Sequence, residues 1–393
     1  MSPARDPAEP PVGAFGTFGD LNLSITGIGV EYPPHRLGPE ALKTICKRHY
    51  PDSPAYALLP HIKTLSRSLT VTSHRMSKVL MINQYTGINT RSSIGDVDHP
   101  LANMDRAPSI AELCQIFLKD GVPLAVAAAR QALAEARVDK SEITHVVKKV
   151  LLHGIGCSGG MASLRTAANL ALGASFRGRP ARILVVALEI SSLLVRSELD
   201  SIDKLQETRV GVALFSDCAS ALIISNGIGA QVQKPIYEVL GWDYRMIPDT
   251  EEDLGFNVDP LGWKVVLSAR VPKLAASVVG PAFNDLVASL PDLPSSYQSA
   301  DSFDWALHPG GATILSGVEK ALGITPQHMR ASIDIYMNHG NSSSATIFSV
   351  LDRLRHKDMD EYAPDGKVKD YVAACGFGPG MAVEMCMLKR CIE

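Results

Sequence analysis

The sequence predicts an α/β protein whose mostly parallel sheet is covered by helices on both faces and whose two halves repeat one another. Apolar runs of strand length, such as residues 182–189 and 219–225, are continuous rather than alternating, the pattern of strands buried on both faces. They alternate along the chain with segments of helical period, as at residues 312–322. A strand, glycine turn, helix unit occurs twice, around Cys157 and around His308. Each is followed later by an antiparallel-looking pair, which points to a duplicated βαβαβαββ arrangement.

Residues 1–20 are rich in Pro, Gly and Ala with little to bury and are expected to form a disordered tail. Residues 21–30 suit a first strand and 38–50 a helix, whereas 56–75 show no period and read as an atypical insert or loop. Helical spacing returns at 76–86, ending at Gly87, and again at 109–119 and 122–136. The β-branched residues 143–147 read as a strand that runs directly into a second apolar run at 150–152. Two parallel strands need a crossover of about a dozen residues or more. Either one long strand runs through this junction or a crossover is missing near 147–149.

Downstream, strands are expected at 182–189, 219–225, 232–241, 265–268, 305–308, 371–375 and 381–388, with a helix or turn at 210–216. Helices fit 271–290, 312–322 and 343–354. The division implied is a first half over 21–228 and a second over 229–393.

A chain of 393 residues can bury a large core, and 46% hydrophobic with 20% charged residues is ordinary for a globular protein. The net charge of −3 gives no reason to expect nucleic acid or an anionic membrane surface as partner. No apolar run approaches the roughly 20 residues of a spanning helix, and no signal pattern opens the chain, so a cytoplasmic protein is expected. The 7 cysteines are scattered, without CxxC or Cys/His ligand spacing, so neither a disulfide framework nor a metal site is indicated.

The chemistry is concentrated at three glycine-flanked turns. In Gly154-Ile155-Gly156-Cys157-Ser158-Gly159-Gly160 the cysteine stands before a helix N-terminus, whose free N–H groups and dipole favour a thiolate. Leu307-His308-Pro309-Gly310-Gly311 repeats that layout with a histidine, and Gly340-Asn341-Ser342-Ser343-Ser344-Ala345 opens a third helix. A lone buried cysteine is more often packing than chemistry. In this company it suits acyl transfer: Cys157 attacks a thioester, and His308 and Asn341 donate hydrogen bonds to a developing enolate. A papain-like protease is the rival. It would place its cysteine near the domain's N-terminus with aromatic residues after it, where this chain has Ser158-Gly159-Gly160.

Together with Gly376-Phe377-Gly378-Pro379-Gly380, these motifs resemble the type III polyketide synthases, the chalcone synthase-like family of the thiolase fold. The similarity is strongest to the fungal branch making alkylresorcinols, resorcylic acids and alkylpyrones. It implies duplicated halves in an α/β/α/β/α layering, a homodimer, and acyl-CoA and malonyl-CoA as substrates, with no cofactor beyond the CoA thioesters. It implies that Cys157 carries the acyl group while His308 and Asn341 promote malonyl-CoA decarboxylation. Phe215 matches a gatekeeper between CoA tunnel and cavity, and Val265 stands where a second gatekeeper aromatic is usual, which widens the cavity toward long acyl chains. Glu189, Ser191 and Ser343 fall beside the cavity, Arg91 matches a basic residue near the CoA mouth, and the backbone of Cys157 and of the Gly378 and Gly380 loop would hold the thioester oxyanion. Single condensation of the ketoacyl synthase III kind is the alternative reaction.

The chain departs from that family where the strand argument already found a gap: the loop and helix expected between the two strands near 147–149 are absent, and 56–75 is extra. Two explanations are open, an edge rewired by divergence, or a sequence that omits a coding segment and retains a non-coding one. The second is favoured, and it would make the chain a catalytically impaired member.

Overall fold

The computed structural model describes residues 17–53, 75–146, 150–229, 234–259 and 262–391. Its first half runs β1 (Leu23–Glu31), β2 (His35–Leu37), α1 (Pro39–His49), α2 (Arg75–Tyr85), β3 (Arg91–Ser93), α3 (Ile110–Ile116), α4 (Val122–Glu135), β4 (His145–Val146), α5 (Gly159–Ser175), β5 (Arg182–Ile190), α6 (Val195–Leu205), α7 (Gly211–Leu214) and β6 (Asp217–Ser225). The second runs β7 (Tyr237–Met246), β8 (Leu254–Asp259), β9 (Gly262–Leu267), α8 (Val271–Ala288), β10 (Asp304–Leu307), α9 (Ala312–Leu322), α10 (Arg330–His339), α11 (Thr346–Leu354), α12 (Lys357–Asp360), β11 (Tyr371–Gly378) and β12 (Ala382–Arg390).

Eight strands form one sheet in the order β10-β11-β12-β7-β1-β6-β5-β4. Outward from the β7–β1 junction both arms are built alike: first strand, last strand, the one before it, then a short edge strand. Only β10–β11 and β4–β5 are parallel; the other neighbours are antiparallel. The expectation of a mostly parallel sheet is therefore corrected. Continuous apolar runs report burial on both faces, as in β6, where every residue is buried, and say nothing about strand direction.

The arms enclose a shared helical layer. Helix α4 covers β1, β5 and β6, while α5 and α11 lie between the arms, α5 touching β5 and β6 on one side and β11 and β12 on the other. Helices α8 and α9 pack together, with α8 against β7 and β12. The layers are thus α/β/α/β/α. Close helix–sheet approach explains Gly27 and Gly29 in β1: a Cβ at either would lie 2.1 Å from a carbonyl oxygen of α4. The central layer is closed by Met161, Leu164 and Ala168 of α5 against Ile347, Phe348 and Leu351 of α11, and each large apolar side chain so buried contributes about 1.5–3 kcal/mol.

Three local expectations change, and a fourth lies outside the described residues. Phe18 is docked, its N–H donating to Ser289 O at 2.9 Å and its ring edge-on to Trp242, so the expected tail is ordered at its end; residues 1–16 lie outside the described residues. The expected insert does too, apart from Arg75, which opens α2. Helix α6 was not anticipated because its buried face is largely polar: Arg196, Ser197, Glu198 and Asp200. Finally, the apolar residues 150–152 form no strand, and Leu151 is 83% exposed.

That last difference excludes one long strand, and the internal repeat shows what stands in its place. In the second half, the connection from Leu307 of β10 to Asn341 carries α9 and α10 before α11 begins. In the first half, the corresponding connection from Val146 of β4 to Cys157 before α5 contains, among the described residues, no helix longer than the single turn Gly156–Ser158.

Candidate active site

Cys157 and Asn341 are each presented by a turn that needs glycine. Gly154 and Gly156 have φ of 78° and 57°, the left-handed region, and deliver Cys157 onto the short turn before α5. His308 follows β10 directly, its N–H donating to Cys375 O at 2.8 Å. Asn341 follows Gly340, φ 80°, and is pinned by Asn341 N to Leu214 O at 3.0 Å and Ser216 N to Asn341 O at 2.9 Å. Strand β11 joins two of them: Cys375 holds His308, Gly376 faces the Cys157 carbonyl, and Gly378 abuts Ser158. A Cβ at Gly378 would lie 2.0 Å from Ser158 Oγ and 2.7 Å from Ile155 O. Gly378→Ala should therefore cost about 3 kcal/mol and displace the nucleophile's turn, seen as a lower urea midpoint together with lost reactivity of Cys157.

Burial sets the protonation states. It pushes the Cys157 thiol up to about 12, with Glu189 adding to the rise, while Ser343 and the Asn341 side chain lie within hydrogen-bond reach of the sulfur and oppose it. His308, 1% exposed, is pushed down to about 4 by the same burial. Desolvation thus opposes the thiolate expected from the helix N-terminus, whose dipole is worth about 0.3–1 kcal/mol. Attack requires the sulfur to give up its proton as it reacts.

Neither ring nitrogen of His308 has a hydrogen-bond partner among the described residues. Asn341 is oriented, Oδ1 accepting from Ser343 N at 2.8 Å and Nδ2 donating weakly to Gly310 O at 3.3 Å, which leaves amide N–H capacity for a ligand. Ser343 has φ 47°, unusual for a residue with a Cβ. Since the folded pKa of His308 is depressed, its neutral form stabilises the fold above pH about 6.5, and that contribution is lost as pH falls toward 4. Relative to His308→Gln, the native chain should lose about 3 kcal/mol over this window, read from denaturant unfolding at the two ends.

A cavity of about 720 Å³ opens beside Cys157, walled by Phe215, Phe256, Val265, Glu189, Ser191 and Ser343. Phe215, Val265, Glu189, Ser191 and Ser343 thus line a single cavity. Phe256 was missed; it sits opposite Val265 in the β8–β9 hairpin and packs on the Gly156 turn. Its signal was the alternation of Leu254, Phe256 and Val258 before a Pro-Leu-Gly turn. Glu189 accepts from Ser344 Oγ at 2.5 Å and Ser344 N at 3.3 Å, and burial raises its pKa.

Two expected roles do not survive. Arg91 is 7% exposed, its guanidinium spent on Asn83 Oδ1 at 2.6 Å and Ala213 O at 2.8 Å, and burial lowers its pKa to about 10. It braces α2 and α7 from inside and presents no charge at a mouth. The Gly380 N–H donates to Leu254 O at 2.9 Å, so it is not free to hold an oxyanion.

The family models for chalcone and stilbene synthases match this chain, the N-terminal domain over residues 146–228 and the C-terminal domain over 242–392. A structure of a type III pentaketide synthase from Neurospora crassa is 58% identical, covers 94% of this chain and 100% of its own, and superposes with a TM-score of 0.87. The type III polyketide synthase pspB of Penicillium soppii is 36% identical over 94% of this chain and 96% of its own. The acylalkylpyrone synthase csyB of Aspergillus oryzae is 34% identical over 94% of each, and a structure of CsyB complexed with CoA-SH superposes at 0.81, with 33% identity over 94% of this chain and 100% of its own. The pspB alignment spans 414 positions, more than this chain's 393 residues, so that relative carries residues with no counterpart here. Motifs, layers and relatives agree, and the chain belongs to the chalcone and stilbene synthase family as a fungal-type type III polyketide synthase.

Proposed function

We propose that the chain loads an acyl group from a medium- or long-chain acyl-CoA onto Cys157 and extends it with malonyl-CoA. The observation that carries the reading is the buried His308 with two partnerless ring nitrogens, next to an oriented Asn341 amide and the Cys157 turn. In loading, the sulfur attacks the thioester carbonyl, its proton passes to His308, and CoA leaves as the thiol. Malonyl-CoA then loses CO2, and the resulting enolate oxygen takes hydrogen bonds from one His308 N–H and from Asn341 Nδ2. The enolate carbon attacks the acyl carbonyl, the new C–C bond forms, and the C–S bond to Cys157 breaks. Repetition lengthens the chain until lactonisation or aldol closure releases a pyrone or a resorcinol-type ring.

The CoA-bound CsyB structure supports CoA thioesters as substrates, and the apolar cavity at Phe256, Val265 and Phe215 supports an alkyl starter. Phe215, bridged to Asn341, is read as the gate toward the CoA side, and the backbone N–H of Cys157 as an oxyanion donor. The reading needs no metal or redox cofactor, because CO2 loss and thioester cleavage supply the driving force. It includes a homodimer in the cytoplasm; among the described residues no helix is long and apolar enough to cross a membrane. A panel of acyl-CoA starters with malonyl-CoA tests it by product mass. Several two-carbon additions on alkyl starters are expected. Addition of a single unit would instead favour ketoacyl synthase III-like chemistry, and strict preference for aromatic starters would overturn the alkyl assignment.

A further inference from the structure

The cavity wall at Val265 is held by a pair of charges that nothing in the chemistry above uses. Strand β9 belongs to a two-stranded sheet and pairs only with β8, where Val265 faces Phe256. On its other side, Glu198 Oε1 of α6 accepts the Val265 N–H at 3.2 Å, and Arg209 Nη1, from the connection to α7, donates to the Val265 carbonyl at 3.0 Å. Both backbone groups of one cavity-lining residue are therefore gripped by opposite charges, whose own contact is a loose 3.8 Å between Arg209 Nε and Glu198 Oε2.

Glu198 is 2% exposed, and neither Glu198 Oε2 nor Arg209 Nε makes a hydrogen bond among the described residues. A buried pair with that geometry is a poor source of stability, since desolvation offsets most of its attraction. Its geometry does fix position. The same connection leads into Gly211, where a Cβ would lie 3.1 Å from the Phe215 ring and 3.8 Å from Val265 Cγ2. A small shift of β9 would therefore change the gap between Val265, Phe215 and Phe256 together.

We infer that Glu198 and Arg209 are positioning residues that set the cavity width at Val265 and so select the length of the acyl chain. The inference rests on the acyl-transfer reading for its meaning, and its test separates the two. Non-cleavable alkyl-CoA thioethers of increasing chain length are titrated against the native chain, Glu198→Ala, Glu198→Gln and Arg209→Met, with thermal midpoints in parallel. Intact mass of the native chain after acyl-CoA reports on the reading itself: an absent adduct sinks acyl transfer, and the thioether titration still decides the clamp.

Glu198→Ala and Arg209→Met should change the ratio of long-chain to short-chain affinity about tenfold. Glu198→Gln retains an acceptor for the Val265 N–H and should restore most of the native ratio. Where adducts form, the same ratio should move in KM more than in kcat. A uniform loss at all chain lengths that tracks the thermal midpoint, or an unchanged ratio, overturns the inference.

Discussion

Replacing Cys157 by alanine should remove acyl loading and lower turnover by roughly 10³-fold or more, as loss of a covalent nucleophile does. The fold should survive, because the side chain sits half-buried on a turn and its loss costs little packing. The discriminating control lies in the same cavity. Cys114 of α3 is exposed and also lines the wall, so an adduct detected by mass alone does not identify the sulfur that carries it. Native chain and Cys114→Ala should show one acyl adduct after brief incubation with a long-chain acyl-CoA, and Cys157→Ala none. An adduct that survives Cys157→Ala and disappears with Cys114→Ala would move the nucleophile to α3 and sink the mechanism. Cys46, Cys218, Cys375 and Cys386 are buried and line no part of this cavity, so they do not compete.

The parts of this site that were legible in the sequence are those fixed by local geometry. A glycine before Cys157, another before Asn341 and the Leu-His-Pro-Gly-Gly turn each declare a sharp change of direction at a chemical side chain, and the structure places the first and third against β11 and Asn341 beside Gly310 of the third. Position in the fold was less legible wherever burial decides. Arg91 reads as a surface cation and is swallowed between α2 and α7, a fate set by Asn83 and the Ala213 carbonyl rather than by its neighbours in sequence. Helix α6 has a polar inner face because it meets other polar groups, such as Tyr50 on Asp200 and Val265 on Glu198. A periodicity search for apolar residues passes over such a helix. Phe256 escaped because strand β8 is short and its partner β9 was only partly anticipated.

The second large effect concerns the shortened connection before Cys157. Inserting between Val146 and Val150 a helical segment as long as the Leu307 to Asn341 connection should stabilise the fold by about 2–4 kcal/mol and raise the yield of multiply extended products. The gain comes from four side chains that line the cavity and still face solvent: Val150, Leu151, Leu170 and Val186, exposed by 45, 83, 38 and 41%. Full burial of such residues is worth about 1.5–3 kcal/mol each, and lengthening a loop costs only about 0.6 kcal/mol per doubling. A covering helix would also exclude water from acyl intermediates on Cys157, which favours further extension over loss of the chain. Denaturant unfolding and product mass, compared between the native chain and the insertion variant, measure both effects. Equal stability and equal products would mean that this wall is already covered, and sedimentation would then show a second copy of the chain seated on it. If the insertion raises stability and turns a chain that forms only the Cys157 adduct into one that extends it, the gap before Cys157 is what limits this member of the family, and the intact Cys157, His308 and Asn341 are sufficient once the wall is closed.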